Sequence, residues 1–223
     1  MKKILVLTAI LIAQINYAQV TKNLGDFDEV KVFDRISVEL VPSDENRIVI
    51  SGNRSSDVEV VNNNGQLKIR MKLEKLLSGE EINAVLYTRG IKGIDATEGA
   101  YVSSNATIEQ DELDLDAKEG AQIKLKVGVR ELDVRAVTGA KIMLSGTADD
   151  QEITIGTGGI VEAAGLVTTR TDVEIKAGGE AEVNASEKVD ADIKAGGNIV
   201  IYGNPRIVNE KTTLGGTIKR AKE

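Results

Sequence analysis

The chain has 223 residues and a formal charge of −7, from 28 Lys and Arg against 35 Asp and Glu. It contains no histidine and no cysteine, which excludes disulfides, the thiol nucleophile, the commonest general base and the usual zinc ligands. Only 3% of the residues are aromatic, so Ile, Val, Leu and Ala have to build the core. An acidic chain is repelled by nucleic acid, and nucleic-acid binding is therefore disfavoured.

The first 18 residues have the pattern of a secretory signal peptide. Lys2 and Lys3 precede an apolar run from Ile4 to Ala13, which is too short to span a bilayer, and cleavage is expected between Ala18 and Gln19. Loss of the two lysines takes the formal charge from −7 to −9. No later apolar run is long enough for a transmembrane helix. We expect an exported protein that is periplasmic, outer-membrane-associated or extracellular and forms one continuous domain over residues 19–223.

Residues 19–90 differ in pattern from the rest of the mature chain. Clusters of turn residues separate four β-rich runs, Ile36 to Val41, Arg47 to Ser51, Asp57 to Val61 and Gln66 to Lys72. Asn64-Gly65 fits a type I′ hairpin turn, whose two central residues both have positive φ. Residues 73–81 indicate a loop or short helix, and residues 82–88 a strand. We expect an N-terminal β-meander that caps the first coil of a solenoid, because an uncovered sheet edge pairs with other chains.

A repeat organises residues 91–223. A corner of two small residues recurs seven times, at Gly99-Ala100, Gly120-Ala121, Gly139-Ala140, Gly158-Gly159, Gly178-Gly179, Gly196-Gly197 and Gly215-Gly216. The first glycines are 21, 19, 19, 20, 18 and 19 residues apart. A fixed period near 20 is typical of a solenoid.

Apolar and polar residues alternate on both sides of each corner, as in strands with one buried face. Alignment of the repeats predicts two buried rows, Leu115, Val134, Ile153, Val173 and Ala191 before the corner and Ile123, Ile142, Val161, Ala181 and Ile199 after it. The sequence therefore predicts an all-β parallel β-helix of about seven coils. Coils stacked about 4.8 Å apart would place Gly99 and Gly215 roughly 29 Å from each other.

The glycine pairs fit a structural role, because a sharp corner needs positive φ and close stacking of coils leaves no room for a Cβ. A valine at Gly178 is accordingly expected to cost several kcal/mol. Phosphate binding would need a helix N-terminus after the glycines, and β-branched residues follow instead. At the C-terminal end the apolar pattern gives way to Val208, Glu210 and Thr212, and charged residues are expected to blunt the last edge.

The chain resembles the bacterial head GIN domain family, whose members are described as putative autotransporter adhesins. The resemblance lies in Phe33-Asp34-Arg35-Ile36-Ser37-Val38, in Asn64-Gly65-Gln66-Leu67-Lys68-Ile69, in the glycine corners and in Ile201-Tyr202-Gly203-Asn204-Pro205. It covers nearly all of the mature chain and implies a right-handed β-helix of the pectin-lyase type with a cell-surface adhesion role. It implies no catalytic residue.

Few residues are candidates for a ligand surface. Asp114 and Asp116 lie in the densest acidic cluster and point outward by alternation, where a solvated charged face competes with weak cation binding. Tyr202 lies beside a Gly-Asn-Pro turn, where its ring either packs on the coil end or faces a ligand. We expect no catalytic residue, no cofactor and no metal ligand.

Three functions fit these observations. The first is a non-catalytic β-helical surface module for adhesion or cell-envelope interaction, with a polysaccharide or protein ligand. The second is a carbohydrate-active enzyme, similar to a polysaccharide lyase, which would need carboxylates for calcium and a Lys or Arg base near Asp114 and Asp116. The third is a periplasmic structural or assembly factor that associates with itself through the solenoid ends.

Overall fold

The computed structural model describes residues 19–221, so the predicted signal peptide lies outside the described residues. The described part is all-β, with two 3₁₀ turns at Ser55–Asp57 and Leu73–Lys75. The strands are β1 (Val20–Asn23), β2 (Glu29–Val32), β3 (Ser37–Pro42), β4 (Arg47–Ser51), β5 (Val58–Asn63), β6 (Gln66–Met71), β7 (Asn83–Thr88), β8 (Gly93–Ala96), β9 (Tyr101–Glu109), β10 (Glu112–Ala117), β11 (Gln122–Ala136), β12 (Lys141–Ile155), β13 (Gly159–Ile175), β14 (Gly179–Ala195), β15 (Asn198–Tyr202), β16 (Ile207–Leu214) and β17 (Thr217–Arg220). They form one sheet that curls into a β-solenoid of about seven turns, which confirms the predicted fold class.

Strands β11 to β14 each run from one glycine corner to the next. Each therefore contains the segment after one corner and the segment before the following corner, with a bend between the two. Register shifts in the β12–β13 and β13–β14 pairs lie within these bends, where one coil has more residues than its neighbour. Coils of unequal length thus keep a common register on both sides of the corner.

The two predicted buried rows are present. Leu115 pairs with Val134, Val134 with Ile153, Ile153 with Val173, and Val173 with Ala191. The row after the corner runs in the same way from Ile123 to Ile199. Every residue of the two rows is buried. Burial of a large aliphatic side chain contributes about 1.5–3 kcal/mol, and here each one packs against the coils on either side.

The N-terminal region differs from a simple meander. The predicted Asn64-Gly65 turn is present, with φ of 52° and 88° between antiparallel β5 and β6, and β4 lies antiparallel between β7 and β1. The pairs β2–β6 and β3–β7, however, are parallel, and so are β2–β8 and β3–β9. Strands β2 and β3 therefore form a coil of the solenoid, and the coil of β6 and β7 lies outside it. The antiparallel strands cover only the outer end.

The two residues of a corner have different roles. Gly178 has φ of +53°, but a Cβ there would meet no atom within 4 Å. A Cβ at Gly179 would lie 2.5 Å from Ile155 Cγ2 and 2.8 Å from the Gly159 carbonyl oxygen. The crowding expected at Gly178 was therefore wrong for that residue, and the close contact between coils falls on Gly179. The corners also stack through their backbones, since Gly178 N donates to the Ala195 carbonyl oxygen of the next coil at 2.8 Å.

Substitutions at this corner should separate the two roles. We expect Gly179→Ala to lower the free energy of unfolding by about 2–3 kcal/mol, because the extra methyl group overlaps a neighbouring coil. Gly178→Asn should cost less than about 1 kcal/mol, because asparagine tolerates positive φ and the position is open. Urea denaturation of the two variants measures the difference. An equal or larger loss for Gly178→Asn would contradict this assignment of roles.

A polar cluster interrupts the aliphatic rows of the repeat region. Gln151 and Thr171 occupy inward positions between Leu132 and Val189, and both are buried. The Thr168 and Thr171 hydroxyl oxygens are 2.8 Å apart, and Thr171 Oγ1 donates to Gln151 Oε1 at 3.3 Å. Gln151 Nε2 has no hydrogen-bond partner among the described residues. A buried donor without a partner costs about 1–3 kcal/mol.

Gln151→Leu should therefore stabilise the protein. The change removes the unpaired donor and continues the leucine row, so we expect a gain of about 1 kcal/mol in the free energy of unfolding. The matched control is Gln122→Leu, the same change at an exposed position, which should alter stability by less than about 0.5 kcal/mol. Loss of stability in Gln151→Leu would indicate that the Gln151 amide has a favourable role in the core.

The C-terminal end is closed differently. Strands β16 and β17 are the last strands of the stack within the described residues, and Glu210 and Thr212 continue the rows of Ala191 and Ile193. Both residues are exposed. An inward-facing charge on an edge strand disfavours pairing with another strand. The last coil therefore covers the core below it without presenting a continuous apolar surface of its own.

Candidate functional site

A line of carboxylates crosses the outer surface formed by the strands before the corners. Asp114 pairs with Asp133, Asp133 with Glu152, Glu152 with Asp172, and Asp172 with Asp190. We call these five residues the carboxylate ladder. Adjacent parallel strands are about 4.8 Å apart, so the ladder extends over roughly 19 Å. Asp114, which the sequence suggested as a ligand residue, is its first member.

Within the described residues, no Lys or Arg offsets the charge of the first two carboxylates of the ladder. Asp114 and Asp133 are both exposed, but neighbouring protein atoms partly desolvate their carboxylates. This desolvation raises the pKa of Asp114, and the neighbouring Asp133 and Glu29 add to the effect. It likewise raises the pKa of Asp133, with further contributions from Glu152, Glu131 and Glu112. At the far end, hydrogen bonds from Lys188 and Asn209 lower the pKa of Asp190. The ladder therefore has uncompensated negative charge on its early coils and a partner at its last residue.

Asp116 lies in a different electrostatic environment, although it is only two residues from Asp114. Its Oδ2 atom is 3.0 Å from Lys118 Nζ and 3.2 Å from Arg135 Nη1. Lys118 Nζ is also 3.2 Å from Asp95 Oδ2. Asp116 is thus part of a network of ion pairs, and of the two predicted residues only Asp114 belongs to the carboxylate ladder.

A charged groove of about 460 Å³ lies at the N-terminal end of the ladder. Its lining includes both Asp114 and Asp116 together with the cations Lys31, Lys92 and Lys118. A polysaccharide lyase would need carboxylates and a cationic residue that can act as a base on one face. The groove brings these residue types together, so the protonation state of its lysines decides whether a base is present.

Two of the lysines are held in the charged form. Burial alone would lower the pKa of Lys118, but its hydrogen bonds to Asp116 and Asp95 outweigh burial and the net pKa is raised. The same holds for Lys31, whose pKa is raised by Glu29 and Asp95 against the effect of burial. A general base has to be unprotonated near the working pH. Lys31 and Lys118 are therefore poor bases, and their ion pairs fix the shape of the groove.

Tyr202 lies at the C-terminal end and is half-buried. It lines a groove of about 550 Å³ with Asn204, Pro205 and Arg220. The same groove contains the adjacent turn Gly203-Asn204-Pro205. Tyr202 is thus a partly buried residue that lines a groove, and its role in binding stays a prediction.

The seven corner glycines lie on a separate edge of the solenoid. All seven have positive φ, between 53° and 73°, at Gly99, Gly120, Gly139, Gly158, Gly178, Gly196 and Gly215.

Within residues 19–221 no group of three or more Asp and Glu side chains is arranged to hold a metal ion. No helix in this part of the chain is long and apolar enough to cross a membrane.

A protein-family model described as "Putative auto-transporter adhesin, head GIN domain" matches residues 26–205. The chain belongs to the head GIN domain family. This confirms the resemblance drawn from the Phe33–Val38 segment, the Asn64-Gly65 turn and the glycine corners. No curated protein matches the chain.

Solved structures with the same head GIN fold have little sequence in common with this chain. A putative adhesin from Bacteroides fragilis has a TM-score of 0.86 at 19% identity and covers 93% of this chain and 98% of its own. A putative adhesin from Parabacteroides merdae has a TM-score of 0.73 at 19% identity, with 94% and 98% covered. A protein from Parabacteroides distasonis titled a putative lipid binding protein has a TM-score of 0.69 at 17% identity, also with 94% and 98% covered. At such identities the likeness shows the fold alone.

Reading the sequence within single coils missed the carboxylate ladder. The sequence nevertheless contains a signal for the ladder. Its carboxylates, at positions 114, 133, 152, 172 and 190, are 19, 19, 20 and 18 residues apart, which is close to the spacings of the glycine corners. An outward residue type that recurs at the coil period forms a row on the surface. Comparison of outward positions between coils would have found it.

Removal of one charge from the ladder should stabilise the head GIN domain. An acid whose pKa is raised in the folded state favours folding when protonated, so ionisation of Asp133 costs stability at neutral pH. We expect Asp133→Asn to raise Tm by roughly 1–3 °C at pH 7. The gain should shrink as the pH falls through the raised pKa, where the native aspartate becomes protonated. Calorimetric scans from neutral pH to about pH 4 would check this, and a lower Tm for the variant at pH 7 would contradict it.

Proposed function

We propose that the chain is an exported, non-catalytic surface module that binds a cell-envelope or extracellular ligand. The observation that carries the proposal is the carboxylate ladder, which offers the same chemical group on five successive coils. A repeated surface suits an extended ligand with repeated cationic or hydrogen-bonding groups, since several weak contacts add to a useful affinity. The family description and the names of the structural neighbours support an adhesive role.

The charge of the ladder predicts how binding depends on salt and which carboxylates contribute most. Binding through the ladder should weaken as salt rises, because exposed charges about 10 Å apart or more are screened at physiological ionic strength. Charge on the early part of the ladder should contribute most, because no Lys or Arg of residues 19–221 offsets the charge of Asp114 or Asp133. Asp190 should contribute little, because Lys188 Nζ lies 2.6 Å from its Oδ2 atom.

A binding screen with the mature protein tests the function. Residues 19–223 are immobilised and exposed to outer-membrane material and to a panel of polysaccharides at low salt and at about 0.5 M salt. We expect retention that falls at high salt and falls at least about fivefold in the triple variant Asp114→Asn, Asp133→Asn and Asp172→Asn. The matched control replaces three outward carboxylates of the other face, Glu162, Glu180 and Glu182, by glutamine.

The outcomes separate the proposal from its alternatives. Retention that both triple variants reduce equally would contradict a role for the ladder, and the absence of any retained partner would contradict the adhesive function. Calcium-dependent turnover of a polyuronate that is lost in Asp114→Ala would favour the enzyme instead. A concentration-dependent oligomer in light scattering, without envelope binding, would favour the assembly factor that associates through the solenoid ends.

A further inference from the structure

The segment between β6 and β7 overhangs the corner edge and forms a groove away from the carboxylate ladder. Leu73, Leu76 and Leu77 are 71%, 54% and 47% exposed, so three large apolar side chains face solvent within one short segment. The groove has a volume of about 510 Å³. Leu76 and Leu77 form one wall, and the corner residues Asp34, Arg35, Glu98, Gly99 and Glu119 form the remainder.

The leucine wall is held firmly in place. The buried carboxylate of Asp34 accepts hydrogen bonds from the backbone N–H of Met71 at 2.9 Å and of Leu77 at 2.8 Å. Gly79 N donates to the Asp34 carbonyl oxygen at 3.0 Å, and a Cβ at Gly79 would lie only 2.4 Å from that oxygen. The overhanging segment therefore keeps a fixed position above the corners. The exposed leucines belong to a preformed groove.

The floor of the groove is negatively charged. Burial raises the pKa of Glu98, and the charges of the nearby acids Asp34 and Glu119 add to the effect, while a backbone hydrogen bond from Asp34 opposes it. Among the described residues, no Lys or Arg side chain contributes to this shift. Arg35 is the one cationic residue of the lining, and its Nη1 atom is 3.9 Å from Glu80 Oε1. A half-buried carboxylate without a cationic partner is costly, and a bound cation would remove that cost.

The carboxylates occur only where the leucines overhang. Glu98 and Glu119 stand directly before the corner glycines Gly99 and Gly120, and the same place in the next three corners is taken by Thr138, Thr157 and Ala177. Thr138 has φ of 52°, the same backbone conformation as Glu98 at 54° and Glu119 at 52°. The corner conformation thus does not require a carboxylate. Glu119 accepts a hydrogen bond from Thr97 Oγ1 at 3.2 Å, and both Glu98 and Glu119 line the groove.

We propose that this groove binds the lysine side chain of a partner peptide. The aliphatic stem would lie against Leu76 and Leu77, and the ammonium group would contact the carboxylates of Glu98 and Glu119. The apolar stem of the lysine matches the apolar wall of the groove, and its charged head matches the acidic floor. A purely apolar occupant would leave Glu98 without a partner, and an anionic lipid surface would be repelled by the two glutamates. This inference does not rest on the proposed adhesive function.

A set of three short peptides tests the groove directly. The probe is acetyl-Leu-Lys-Leu-amide, and the controls replace lysine by norleucine, which keeps the stem without the charge, or by glutamate. Binding is followed by two-dimensional NMR of the labelled mature protein. We expect the lysine peptide to shift the amides of Leu77, Glu98 and Gly99 and to bind at least fivefold more tightly than the norleucine peptide. Equal affinities for the lysine and glutamate peptides would overturn the proposal.

Three variants keep the test independent of folding defects and of the ladder. The double variant Glu98→Thr and Glu119→Thr uses the residue that Thr138 carries in the same conformation, and it should reduce the affinity for the lysine peptide to that for the norleucine peptide. Leu76→Ser should weaken both of these peptides. Asp133→Asn with Asp172→Asn, a matched loss of two charges on the ladder, should leave lysine binding unchanged. A loss of lysine binding in this control would place the interaction on the ladder and overturn the assignment to the groove.

Discussion

Hydrogen bonding between successive coils is the constraint on which the structure depends. A coil of about 19 residues has one apolar face on each side of its corner and cannot bury either face alone. The backbone contacts at the corners, such as Gly158 N donating to the Gly178 carbonyl oxygen at 2.7 Å, set the height of one coil above the next. Once this spacing is fixed, equivalent side chains of neighbouring coils lie opposite each other, inside and outside.

The same register that builds the core also determines the electrostatics. Inside, it stacks aliphatic residues into rows and explains why one polar residue, Gln151, is left with an unpaired donor between leucine and threonine neighbours. Outside, it aligns single carboxylates of successive coils into the carboxylate ladder, and their proximity contributes to the raised pKa of Asp114 and of Asp133. Carboxylates on separate loops would repel each other only weakly. Here the repulsion is stronger, because the coils hold the carboxylates a few ångströms apart.

The repeat made much of this fold predictable from the sequence. Period-two alternation identified the inward residues, and corner spacing placed Leu115 opposite Val134 and Ile123 opposite Ile142, as the structure has them. The order of the N-terminal coils was not predictable, because nothing local in residues 29–42 indicates that β6 will lie beside β2. The separate roles of Gly178 and Gly179 were also hidden, since both glycines look alike in the sequence and only the neighbouring coil distinguishes them. The groove under Leu76 depends on a long-range contact with Asp34 and had no local signal.

Distances along one outward row test the stacking of coils most directly. Lys124, Met143, Glu162, Glu182, Val200 and Lys219 follow one another in register on successive coils, and the absence of native cysteine allows clean spin labelling at introduced cysteines. Pulsed electron paramagnetic resonance between position 124 and positions 182, 200 and 219 should give backbone separations that increase by about 4.8 Å per coil, near 14, 19 and 24 Å. Separations that do not increase in this order, as in an antiparallel sandwich whose successive corners alternate between two ends, would contradict the solenoid.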